Sequence, residues 1–200
     1  MDNKVKYIVG IDEVGRGPIA GPVAVCAFLL KDEKILENQK DKGLSKLKDS
    51  KKLSKKQREI WFEYLKVAKT EGFCDFVVSF VSSENIDKFG ISKAIKKALD
   101  TSLEKLNLNP EEIFVYLDGG LKAEEKYIHQ LTVIKGDEIY PVISCASIMA
   151  KVSRDAVMTK YAKNYPEYGF EKHVGYGTKA HYAAIKKHGQ IPIHRKTFIH

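Results

Sequence analysis

Four carboxylates in this 200-residue chain stand where they could act together: the adjacent pair Asp12 and Glu13, then Asp118 and Asp137. Each follows an apolar run and lies near a glycine, in VKYIVGIDEVG, IFVYLDGG and LTVIKGD. Short runs of this kind read as buried strands, and α/β folds assemble their sites where strands end. If these strands are neighbours the acids converge, and carboxylates that close repel one another unless cations sit among them. Hard oxygen ligands suit Mg²⁺ or Mn²⁺. Taken singly, an acid after a strand is more often a helix or turn cap; the recurrence of the arrangement is what argues for a site. Successive strand residues point to opposite faces. Asp12 and Glu13 are therefore expected to share a site only if the strand bends or ends there, and the Val-Gly-Arg-Gly-Pro that follows supplies such an ending.

Gly15 and Gly17 flank Arg16, removing side-chain bulk around a cation of the kind that meets phosphate, so GRG is a candidate for close backbone approach. GRGPIAG also loosely imitates a dinucleotide-binding loop. That motif must open a helix, whereas Pro22 and VAVCAFLL supply a strand, and the reading is rejected. Tyr176, between Gly175 and Gly177, can lay its ring against a sugar or base; half-buried packing is the plainer alternative. LKDSKKL, which holds Ser50 and Lys51, reads by default as a solvated basic loop. Lys151 and Asp155 stand four apart on one predicted helix, where an ion pair is expected and Asp155 at most supports the site from behind. His194 and Arg195 meet either phosphate or the core. The five histidines after Glu171 show no HExxH-like spacing, which argues against zinc.

The elements that must hold these residues follow from pattern. Val5–Ile11, Val23–Leu30, Phe73–Val81, Ile113–Leu117 and Leu131–Ile134 are the expected strands. An amphipathic helix is predicted from a capping Ser54 to Gly72, a short one after Ser82 or Ser83, and a longer one through Ile91, Ile95, Leu99 and Leu103 to Leu106. Further helices are predicted from Ser144 to about Lys163, where Tyr165-Pro166 breaks the chain, and near Lys179 to His188. Strands alternating with helices, with no repeat and no low-complexity linker, make one α/β or α+β domain of residues 1–200. Residues 171–200 form a basic extension of it.

Composition narrows the function. The hydrophobic fraction of 44% and charged fraction of 30% are ordinary for a globular chain. The net charge of +8 and pI near 9.2 favour a polyanionic partner. That charge is clustered: Lys46 to Arg58 carries seven basic residues against Asp49 alone, and no acid follows Glu171. Cys26, Cys74 and Cys145 are scattered, without a CxxC pair, and fit a reducing cytoplasm better than a disulfide framework. The longest apolar run, Val23 to Leu30, is too short to cross a bilayer, and the N-terminus lacks a signal-peptide core. A cytoplasmic protein is expected.

Read together, GIDEVGRGPIAGPV, LKDSKKL, YLDGG, KGDEIYPVISCASIMAKVSRD, HVGYGTKAHYAAI and HRKTF resemble, in order, the motifs of the ribonuclease HII family in its bacterial form. The resemblance implies a ribonuclease H-like α/β fold, a central mixed sheet flanked by helices, with a helical C-terminal extension. It implies an endoribonuclease that cleaves RNA in RNA–DNA hybrids and at ribonucleotides embedded in duplex DNA, leaving 5′-phosphate and 3′-hydroxyl ends. Asp12, Glu13, Asp118 and Asp137 match the family's acidic set for two divalent ions. Gly15, Arg16 and Gly17 match its loop for the ribose 2′-hydroxyl, and Tyr176 its junction-stacking tyrosine. Ser50, Lys51, Lys151 and Arg195 complete the candidate substrate-binding residues. SCASI stands where AASI is usual, touching no proposed ligand. No QxxLxxFF-like clamp-binding peptide is visible, and a monomer is expected. The alternatives are a non-enzymatic basic nucleic-acid-binding domain whose acids are caps, or another two-metal nuclease such as a resolvase.

Overall fold

The computed structural model describes residues 5–37, 43–47 and 53–200; the Ser50 and Lys51 expectations lie outside them. Five strands form one mixed sheet in the order β3-β2-β1-β4-β5. β1 (Tyr7–Val14) and β2 (Val23–Leu30) are antiparallel and joined through the GRG turn, and β3 (Cys74–Val81) lies antiparallel beyond β2. On the other side β1 pairs in parallel with β4 (Ile113–Asp118), and β4 with β5 (Gln130–Val133). The helices are α1 (Lys55–Thr70), α2 (Ser83–Phe89), α3 (Ile91–Lys105), α4 (Gly136–Ile139), α5 (Pro141–Asn164), α6 (Phe170–His173) and α7 (Lys179–His188).

The sheet is covered on both faces, and β2 shows why its sequence is apolar throughout. Its alternate residues Val23, Val25, Ala27 and Leu29 join the core that holds Ile95 and Leu99 of α3. Cys26, Phe28 and Leu30 join the opposite core, with Trp61 and Leu65 of α1 and Ile148 and Met149 of α5. A two-residue period thus feeds two cores at once. α1 begins on a complete capping box between Ser54 and Gln57. α5 begins with Pro141 at its first turn and packs straight onto β1. Gly10 makes that approach possible: a Cβ there would lie 2.3 Å from the Val142 carbonyl oxygen.

Two placements differ from expectation. β1 runs on through the acids, with Asp12 opposite Cys26 and Glu13 opposite Val25, so the carboxylates belong to the ladder and do not follow its end. The β2 hairpin partner supplies the pairing that carries the strand past Ile11. Asp137 is likewise not at a strand terminus. β5 stops at Val133, Lys135 adopts a left-handed conformation (φ 55°), and Asp137 sits in the first turn of α4.

Residues 171–200 fold back onto the β1–β2 turn. The Ile19 and Ala20 amides donate to the Gly175 carbonyl at 2.9 and 3.2 Å, and Ala20 bridges His194. Ala20, Met158, Tyr168, Phe170 and Ile193 seal the joint with a third apolar cluster. Among the described residues no helix is long and apolar enough to cross a membrane.

Candidate active site

The register of β1 and β4 brings the first two acids together. Ile11 pairs with Leu117, so Asp12 and Asp118 follow at the same level on neighbouring strands. Both are buried, 3% and 9% exposed. Asp12 Oδ1 accepts from the Glu13 amide at 2.8 Å, and Ser147 of α5 hydrogen-bonds its carboxyl. Asp118 Oδ1 accepts from the Gly136 amide at 2.7 Å, which ties the end of β4 to the start of α4 and so to Asp137. Asp137 is 0% exposed, and its carbonyl accepts from Ser144 Oγ at 2.5 Å.

Glu13 leaves the opposite face of β1 from Asp12, yet both line one cleft of about 430 Å³. The GRG turn, Lys151 and Tyr176 line it as well, whereas Asp118 and Asp137 do not. Burial pushes the Asp12 carboxyl well above the usual carboxylate range; the Ser147 hydrogen bond opposes this, and the charges of Glu13 and Asp118 add to it. Burial likewise raises Glu13, with Arg16 pulling it down and Asp118 pushing it up. Among the described residues no three His, Cys, Asp or Glu side chains already close on a single point. The donor chemistry nevertheless fits a divalent cation: buried hard oxygens raise one another's proton affinity, and a cation between them relieves that repulsion.

Arg16 is half-exposed, with Nε 3.2 Å from Glu13 Oε1. Gly15 takes φ 98°, and a Cβ there would fall 2.3 Å from Arg154 Nε. That close approach belongs to two buried arginines beneath the turn. Arg154 donates to the carbonyls of Pro22 (2.8 Å), Val174 (3.0 Å) and Ala20 (3.2 Å). Arg195 donates to those of Gly15 (2.7 Å), Gly21 (2.9 Å) and Arg16 (3.1 Å). Arg195, a candidate for substrate, is instead fully buried, with each of its three guanidinium nitrogens donating to a carbonyl of the turn, so it shapes the loop from below. Tyr176, by contrast, is 46% exposed, its ring 3.8 Å from where a Gly17 Cβ would lie.

Lys151 Nζ lies 2.8 Å from Asp155 Oδ1, the intrahelical pair expected from their spacing. Three residues escaped the sequence reading. Ser147 and Arg58 line the cleft, and Arg154 anchors the turn. None left a distinct signal: Arg154 stands between Ser153 and Asp155, three residues after Lys151, and reads as one more charge of a polar helical turn.

Arg58 and Arg16 each border a second concavity. Arg58 adjoins a groove of about 420 Å³ between α1 and α5 that carries Lys55, Lys160 and Lys163. Arg16 adjoins one of about 680 Å³ with Lys96, Lys122 and the Gly120–Leu121 turn after β4. The three depressions therefore share arginines at their junctions.

The ribonuclease HII family profile matches residues 9–200. A ribonuclease HII of Endomicrobium trichonymphae is 45% identical over 197 residues, covering 98% of this chain and 87% of its own. The ribonuclease HII seen in a PCNA complex from Archaeoglobus fulgidus superposes with a TM-score of 0.73 at 27% identity, covering 97% of this chain and 96% of that one. A Bst-RNase HIII solved with Mn²⁺ shares the fold, with a TM-score of 0.70 at 17% identity over 98% of this chain and 68% of its own.

Proposed function

Because the chain belongs to the ribonuclease HII family and is thus an RNase H-type endonuclease, we propose that it acts both on RNA–DNA hybrids and at ribonucleotides embedded in duplex DNA, leaving 5′-phosphate and 3′-hydroxyl ends. The observation that carries this reading is the convergence of Asp12, Glu13, the GRG turn and Tyr176 on one cleft.

Two divalent ions, Mg²⁺ or Mn²⁺, held by Asp12, Glu13, Asp118 and Asp137 would make a water nucleophilic and neutralise the leaving 3′-oxygen. Ser147 and the Glu13 amide hold the Asp12 carboxylate in place, and the Gly136 amide holds that of Asp118. The GRG turn offers backbone groups without side-chain bulk where the ribose 2′-hydroxyl, the group that separates RNA from DNA, must be read. Its carbonyls are already turned inward to Arg195, which leaves its outer surface for substrate. Tyr176 offers a ring face at the turn's edge for the junction sugar. Arg16, Arg58 and Lys151 supply cations for the phosphates on either side.

The test offers duplex DNA with and without one ribonucleotide, and an RNA–DNA hybrid, in Mg²⁺ and in Mn²⁺. Asp118→Asn keeps an acceptor for the Gly136 amide while losing the charge. It should lower cleavage by at least about a hundredfold with hybrid binding retained. Undiminished metal-dependent scission by the variant, or salt-sensitive binding by the wild type without scission, would overturn the reading.

A further inference from the structure

The loop that carries Tyr176 is held by a chain of histidines that the reaction itself does not use. His181 and His194 are both buried, their Nε2 atoms 3.0 Å apart. His194 Nδ1 lies 2.9 Å from the Ile191 amide, which can only donate, so that nitrogen carries no proton. A neutral His194 therefore bears its hydrogen on Nε2, aimed at His181 Nε2, which must accept. His181 then bears its own hydrogen on Nδ1, 2.9 Å from the Tyr176 carbonyl oxygen, which can only accept. One pair of tautomers satisfies every contact, and the hydrogen bonds run in one direction from Ile191 through His194 and His181 to Tyr176.

This arrangement has no room for an added proton. The two unprotonated nitrogens, His194 Nδ1 and His181 Nε2, each face an N–H, so protonating either sets two hydrogens against each other. The surroundings agree. Burial first, then neighbouring His173 and His194, lower His181 to about 4, with only the Tyr176 carbonyl favouring the proton. Burial lowers His194 too. The groups facing the pair are the His173 ring, stacked on His181 at 4.5 Å, and the Tyr168 and Phe170 rings, with Arg195 next in the chain and Arg154 on the Val174 carbonyl.

The far end of the chain is the Tyr176 peptide. Its carbonyl accepts from both His181 Nδ1 and the Thr178 amide at 2.8 Å, and its own amide donates to the His173 carbonyl at 2.9 Å. Flanking glycines give the segment no side chains of its own to lean on, so the half-exposed ring is oriented through its backbone. We propose that the neutral His181–His194 pair is a positioning device for Tyr176 and thereby sets the preference for cutting at a single embedded ribonucleotide over cutting within an all-RNA strand. This rests on the reading of Tyr176 as the junction contact.

The experiment compares kcat/KM on duplex DNA holding one ribonucleotide with that on an RNA–DNA hybrid, for wild type, Tyr176→Ala, His181→Phe and His181→Asn. Phe keeps a ring and loses both hydrogen bonds; Asn can restore the donor to the Tyr176 carbonyl. The ratio of the two activities should fall about tenfold or more in His181→Phe and return to within about threefold of wild type in His181→Asn. Equal losses on both substrates in His181→Phe, with the ratio lowered in Tyr176→Ala, would overturn the relay. An unchanged ratio in Tyr176→Ala would overturn the junction reading beneath it. If His181→Phe does not fold, nitrogen NMR of the wild type decides: the proton on His181 Nδ1 and on His194 Nε2 supports the relay, and any other tautomer pair refutes it.

Discussion

Arg195 and Arg154 are buried cations whose hydrogen bonds go to main-chain carbonyls, and among the described residues neither pairs with a carboxylate. Removing a guanidinium from water costs several kcal/mol unless its donors are met, and here the turn's carbonyl dipoles meet them. The planar fork of Arg195 reaches three separate carbonyls, which a point-charge ammonium cannot match. Arg195→Lys should therefore cost about 2–4 kcal/mol in urea unfolding, with cleavage falling as the GRG turn loosens. Unchanged stability with weaker hybrid binding would return Arg195 to the substrate's side. The sequence could not show this, because an arginine in HRKTF looks like any cation of a basic tail. What distinguishes it is three carbonyls that lie some 180 positions earlier.

The elements themselves were largely legible, and the reason is local. α1 announces itself by Ser54, Gln57 and an apolar stripe, and α3 by its three- and four-residue steps. β1 runs past its apparent end, because acids look like a terminus while a hairpin partner decides where pairing stops. Asp137 reads as a strand end in the sequence because the four helical residues of α4 carry no periodicity to read. The approach of the C-terminal helices to the β1–β2 turn was not legible either, since it is made by bonds between distant positions, such as the Ile19 amide to the Gly175 carbonyl, and it buries His181 and His194. That burial has a measurable cost in acid. Both histidines are lowered in the fold, whereas in the unfolded chain they titrate near 6.5. Below that pH the unfolded state binds more protons, so stability is fully present above about 6.5 and is lost as pH falls, for His181 towards about 4 by up to about 1.4 kcal/mol per pH unit, with His194 acting in the same direction. Because the raised Asp12 and Glu13 act with the opposite sign, the readout is the difference in urea midpoint between wild type and His181→Asn, which should shift against the wild type from pH 7.5 to 4.5; a constant difference would mean that His181 takes up its proton in the fold as it does unfolded.

At the scale of the whole molecule, the +8 net charge is directed, since Lys55, Arg58, Lys160 and Lys163 outweigh Glu59 and Asp155 in the groove that shares Arg58 with the acidic cleft. Cations that neutralise phosphates release counterions on binding, so affinity falls with salt in proportion to the contacts made. In an Asp118→Asn background, hybrid binding followed by anisotropy from low to high salt should have a steep slope, and Arg58→Ala should reduce its magnitude by about 1. An unchanged slope would show that no strand passes Arg58.

The bonds from Arg195 to the Gly15 and Arg16 carbonyls, spanning 180 and 179 positions, also order events in time. Hairpin and helices close over short stretches of chain, whereas this contact needs nearly the whole polypeptide already gathered, and closure entropy rises with the length enclosed. On the proposed reading, the turn that tells ribose from deoxyribose should thus be among the last parts to take shape, and a refolding chain should regain its sheet before its discrimination.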